Sequence, residues 1–144
     1  MRVLLDTNVV LDFLLAREPF ATAAREIWLA CEEQRCTGYL AAISVTNIWY
    51  IGRKMVGAEA ARQHVADLLQ VLQVCPVDFK VLAAARDSGI ADFEDGVQVA
   101  AALAAGLDAL VTRNGDDFVG AALRVLTPAE FLAQLPAPPL VRPP

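Results

Sequence analysis

The sequence predicts a single α/β domain: a central parallel sheet of about four or five strands with helices on both faces. Two observations carry this. Short apolar runs that read as buried strands alternate with longer segments whose apolar residues recur every three or four positions. That order calls for parallel strands joined by helical crossovers. The 144 residues, 56% of them hydrophobic, suit one domain with a substantial core, and neither a repeat nor a linker divides them.

The first strand is Val3-Leu4-Leu5, which runs directly into Asp6, Thr7 and Asn8. Residues 9–15 follow with helical spacing, placing Val10, Phe13 and Leu14 on one face. Pro19 suits the first turn of a second helix reaching about residue 34. Within it Trp28 is large enough for either the core or a subunit contact. Residues 37–43 form a second strand, and Ser44 is the expected N-cap of a helix ending near Gly57. Residues 58–72 are strongly helical, and residues 71–77 contain a short strand closed by Pro76. Asp78 caps the next helix, which Ser88-Gly89 ends. Asp92-Phe93-Glu94-Asp95-Gly96 opens an Ala-rich helix to Ala105, residues 109–112 are a buried strand, and residues 113–118 are the loop after it. A last strand spans residues 123–126. Thr127-Pro128-Ala129-Glu130 is a capping box with proline at the first helical position, opening a helix to about Leu135. The Pro-rich end, residues 136–144, suits neither ladder nor helix and is expected to be extended and mobile.

The acids fall in a pattern. Asp6 follows the first strand, Asp92, Glu94 and Asp95 crowd one helix start, and Asp116 and Asp117 follow the strand ending at Thr112. A parallel sheet brings its carboxyl ends to one rim, where ligands bind in open α/β folds. Carboxylates gathered there repel, which raises their pKa values or calls for a cation. No run of Lys or Arg lies beside them. A hard divalent ion such as Mg²⁺ takes one or two carboxylates, keeps waters and completes its shell from phosphate, which is the logic of metal-assisted phosphodiester hydrolysis. Each group also has an ordinary role. Asp92 suits an N-cap with Asp95 in the first turn. Asp116-Asp117 suits the flank of an Asn114-Gly115 turn, and Asp6 alone suits a cap. Spacing by itself yields an acidic, metal-binding cleft.

Other chemistries are excluded or disfavoured. His64, the single histidine, sits mid-helix, and no Ser or Cys has an evident base. Neither GxGxxG nor GxxxxGK[ST] occurs. The three cysteines cannot all pair and match no zinc spacing, so they read as buried thiols in a reducing compartment. No apolar run is long enough to span a bilayer, and Asp6 and Asp12 interrupt the first apolar stretch. A cytoplasmic protein without membrane attachment is expected. The net charge of −5 argues against a broad basic nucleic-acid face, so a polyanionic substrate needs a metal or a local basic cluster.

Leu4-Leu5-Asp6-Thr7-Asn8-Val9-Val10-Leu11-Asp12, Phe93-Glu94-Asp95-Gly96-Val97-Gln98, Leu110-Val111-Thr112-Arg113-Asn114 and Asp117-Phe118, in that order, resemble a PIN-domain protein. The likeness runs from Met1 to about Leu132. Within the family it is most similar to small, single-domain proteins of the VapC toxin kind. Those are Mg²⁺- or Mn²⁺-dependent ribonucleases held inactive by an antitoxin. The resemblance implies an RNA substrate, a homodimer, and an antitoxin whose arm or helix fills the cleft, with Trp49 and Tyr50 as contact candidates.

By the same resemblance Asp6 is the first acid and Asp95 the third, both metal ligands. Asp117 is the fourth, with Asp116 its near alternative. The second acid is normally a glutamate early in the helix after the second strand, and here Asn47 stands in its place. An amide can orient a water but carries no charge. Asp92, one turn before Asp95, is the expected replacement, and Asp117 or Asp92 is the expected water-orienting group. Thr112 is expected to bond Asp6 or substrate, Arg113 to meet the RNA backbone alongside Asn114, with Arg53 and Lys54 as further basic candidates. Asn8 is expected to buttress Asp6. The nuclease domain spans residues 1–135 and the tail residues 136–144. Asn47 and the charge of −5 also admit a catalytically weak or inactive binding module of the same fold. A phosphoryl-accepting receiver comes last, because no Lys follows a late strand at the required place.

Overall fold

The computed structural model describes residues 1–139. Five strands form one sheet: β1 (Arg2–Leu5), β2 (Thr37–Ala41), β3 (Gln73–Cys75), β4 (Ala109–Val111) and β5 (Arg124–Leu126). Every pairing is parallel, and the order is β3-β2-β1-β4-β5. The helices are α1 (Thr7–Leu14), α2 (Ala21–Glu32), α3 (Ala42–Val56), α4 (Ala58–Val71), α5 (Phe79–Asp87), α6 (Phe93–Ala104) and α7 (Pro128–Leu132). None of them is long and apolar enough to cross a membrane.

Side chains alternate across a strand, so one short apolar run serves two cores. Val3 and Leu5 of β1, with Ala109 and Val111 of β4, join Val10, Ile27, Ile48, Leu68 and Phe131 on one face. Leu4 and Leu110 join Val81, Ala85, Val97 and Ala101 on the other. Each fully buried Val or Leu contributes about 1.5–3 kcal/mol. Gly38 lets this layering close. A Cβ there would meet Leu72 Cδ2 at 2.7 Å and Cys31 Sγ at 2.8 Å. Trp28 belongs to the core, stacked on Phe13 with its Nε1 donating to Glu32. All three thiols are free and buried.

The chain builds outward from β1 to β2 and β3, then jumps back to place β4 on the other side of β1. The carboxyl ends of β1 and β4 therefore flank the point where strand order reverses, the usual ligand crevice of open α/β sheets. Register sharpens this. Leu5 stands opposite Val111, so Asp6 and Thr112 leave the sheet side by side, and the Asp6 amide donates to the Val111 carbonyl at 2.9 Å.

Several boundaries differ from expectation. The second strand ends at Ala41, and α3 begins at Ala42 with no side-chain cap. Ser44 is thus not the N-cap. It lies inside the helix, fully buried, and its hydroxyl accepts from Thr7 Oγ1 at 2.7 Å. α2 starts two residues after Pro19, and α7 stops at Leu132. The loop after β4 contains a 3-10 turn, Gly115–Phe118. Asp78 and Thr127 cap as expected, the latter in a complete capping box. Residues 136–139 form no helix or strand, and the rest of the Pro-rich end, residues 140–144, lies outside the described residues.

Candidate functional site

Asp6 holds the N-cap position of α1 yet makes no capping bond. Its carboxylate, in a residue only 3% exposed, turns toward the sheet's reversal point instead. Thr112 Oγ1 donates to Oδ2 at 2.8 Å, and Gln98 Nε2 donates to Oδ1 at 3.3 Å. The Thr112 hydroxyl in turn accepts from the Asn114 amide at 3.0 Å, which fixes its direction. The first expected acid is therefore gripped by the end of β4 and by α6.

Gln98 joins the second element to the first. The same Nε2 reaches Asp95 Oδ1 at 3.4 Å. Asp6 from the end of β1 and Asp95 from the first turn of α6 thus lie within reach of one nitrogen. Asp95 is held from behind, because its amide donates to Asp92 Oδ1 at 3.0 Å in the N-cap bond of α6. Burial first, then repulsion from Asp92, Asp6, Asp117 and Glu94, pushes the Asp95 carboxyl up to about 7.

Around this pair opens a cleft of about 430 Å³, lined by Asn8, Asn47, Tyr50, Glu94 and Asp117 as well as the acids above. No Lys or Arg lines it. Asp117 lies in the cleft, whereas its alternative Asp116 is exposed outside it. Asn47 is engaged in a way its spacing did not indicate: Nδ2 donates to Glu94 Oε1 at 2.6 Å.

The donor set fits a hard divalent cation. Gln98 Oε1 is buried without a partner, and the Asp6 and Asp95 carboxylates both lie against the one Gln98 NH₂ group. Five acids crowd the cleft, and no basic side chain lines it to offset them. Among the described residues no three acidic, His or Cys side chains stand close enough to enclose an ion together. One or two carboxylates with waters is the coordination Mg²⁺ prefers.

Other expected residues are placed differently. Asn8 lines the cleft but does not bond Asp6. Its Oδ1 accepts from Arg17 Nη2 at 3.3 Å. Arg113 is committed inward rather than to an open face. Its Nε donates to Asp12 Oδ2 at 2.7 Å, and its guanidinium lies 4.1 Å from the Phe20 ring centre. Asp12, 1% exposed, also has Arg17 Nε 2.9 Å from Oδ1, an ion pair without hydrogen-bond alignment. This buried acid with two arginines ties the loop after β4 to α1. Its role was not evident in the sequence, and neither was that of Gln98. The available signal for Gln98 was its place three residues after Asp95, on the same helical face.

A family model described as PIN domain matches residues 2–116. No curated protein sequence matches the chain. Solved structures share the fold. The VapBC2 complex of Rickettsia felis bound to promoter DNA contains a chain 17% identical, with a TM-score of 0.70 over 88% of this chain and 98% of that one. VapC20 of Mycobacterium tuberculosis, a Sarcin-Ricin loop cleaving toxin, is 16% identical, with a TM-score of 0.66 over 80% of this chain and 92% of that one. FitAcB of Neisseria gonorrhoeae is 23% identical, with a TM-score of 0.66 over 88% and 98%.

Proposed function

The chain belongs to the PIN domain family, and from that premise we propose that it is a divalent-metal-dependent endoribonuclease, the toxin of a toxin–antitoxin pair. The observation that carries this reading is the Gln98 amide spanning Asp6 and Asp95 in an acidic cleft at the sheet's reversal point. The company of the fold supports it: one relative is a toxin that cleaves the Sarcin-Ricin loop, and another comes from a toxin–antitoxin complex of Klebsiella pneumoniae.

Asp6 and Asp95 would hold Mg²⁺ or Mn²⁺. When bound, such an ion polarises a phosphoryl oxygen and lowers the pKa of a water toward neutrality. The chain's own groups do the rest. Thr112 and Gln98 fix the Asp6 carboxylate. Asp92 spends Oδ1 on the Asp95 amide and so sets the height of Asp95 in the cleft. Asp117, at the open edge, orients the attacking water and accepts its proton. Arg113 acts on the substrate indirectly, by anchoring the Asn114 loop through Asp12. Residues 1–135 form the nuclease, which works in the cytoplasm as a homodimer, and the antitoxin covers the cleft beside exposed Tyr50.

The test is cleavage of single-stranded RNA by the purified protein. Mg²⁺ or Mn²⁺ should support it, chelation should stop it, and Asp6→Ala should abolish it. Cleavage retained by that variant contradicts the assignment. The neutral amide at Asn47 favours a second reading, a non-catalytic module, which requires ion binding without cleavage.

A further inference from the structure

We propose that this chain has moved one acid of its cleft from α3 to α6: Glu94 supplies the carboxylate that position 47 lacks, and Asn47 is its positioning residue. The inference rests on the metal-dependent reading above. Asn47 and Glu94 both line the cleft, and the amide donates to Oε1 at 2.6 Å, while Oε2 has no protein partner among the described residues. Gln98, which lines the same cleft, independently leaves its buried Oε1 without a protein partner, a second acceptor that a cation or its waters would satisfy.

The chemistry of the pair explains the amide. Two carboxylates at this separation would repel, and one of them would have to take a proton. An amide N–H beside Glu94 does the opposite. It donates to the carboxylate where a second acid would repel it, and so pins the direction of the Glu94 side chain. Asn47 is thus the complement of an acid gained at Glu94. Asp92 is the poorer replacement, because one of its oxygens already caps α6.

Calorimetric Mn²⁺ titration of the full chain at pH 8 tests this, with folding checked by circular dichroism. Glu94 is exposed, so Glu94→Gln should fold normally. It should weaken Mn²⁺ binding by about tenfold or more, the usual scale for losing a group that supports a metal site. Asn47→Ala should weaken it less. The double variant Asn47→Glu/Glu94→Gln, which returns the acid to α3, should recover to within about threefold of the parent. Glu59→Gln, removing a surface charge on α4, should change nothing. Wild-type affinity in Glu94→Gln, or a double variant as weak as Glu94→Gln, overturns the inference. Asp6→Asn separates it from the reading beneath: if that variant binds Mn²⁺ like the parent, the metal centre itself is wrong. If only Glu94→Gln is silent, the relocation alone falls.

Discussion

Asp95→Asn should stabilise the metal-free protein, and the gain should depend on pH. The Asp95 carboxyl is pushed from 3.8 to about 7 by burial and by its acidic neighbours. The folded state therefore keeps a proton that the unfolded chain releases between those values. Stability falls as pH rises through that window, and above about 7 the whole cost is present. At about 1.4 kcal/mol per factor of ten, the gross cost is about 4 kcal/mol. Asp95 remains partly solvated, and screening reduces this to about 1–2 kcal/mol. Losing an acid from the first turn of α6 offsets a few tenths through the helix dipole. Urea denaturation in chelator should therefore show the variant more stable by about 1 kcal/mol at pH 8, with the difference gone near pH 4. Saturating Mn²⁺ should reverse the order, since an ion at a hundred times its Kd stabilises a competent site by about 2.7 kcal/mol. No gain at pH 8, or an equal gain at pH 4, refutes the reasoning.

Thr112→Val removes the donor to Asp6 and the acceptor for the Asn114 amide. It should cost about 1–3 kcal/mol in urea denaturation and weaken Mn²⁺ binding about tenfold in calorimetry. Asp12→Asn strips the counter-charge from Arg17 and Arg113. It should cost about 2 kcal/mol, less than for a fully buried pair because both arginines keep solvent contact. RNA cleavage should fall with it as the Asn114 loop loosens, and a variant with parental stability would show that the two arginines do not lock that loop.

The legible parts of this fold are those whose causes are local. β1 and β4 announce themselves because both faces are buried, leaving uninterrupted apolar runs. Asp78 and Thr127 are readable because a cap and its partner amide lie within three residues. The start of α3 was not readable: Ala41-Ala42 carries no stop signal, and Ser44, the residue that looks like a cap, is drawn to Thr7 by tertiary contact. The acids of the cleft could be gathered from two strand ends and one helix start, but not what holds them. Gln98 matters only once β1 and α6 are brought together, and the Asn47–Glu94 bond joins helices that sequence spacing cannot relate. Arg113 looked free for phosphate because its partner, Asp12, sits in an apolar run of α1, between Val9-Val10-Leu11 and Phe13-Leu14.

The sharpest measurement is anomalous diffraction from crystals grown with Mn²⁺. An ion should stand between Asp6 and Asp95, about 2.1 Å from an oxygen of each, with waters filling its remaining positions. An ion bound elsewhere, or a cleft that stays empty at millimolar Mn²⁺ with both carboxylates in place, contradicts the shared-ion site.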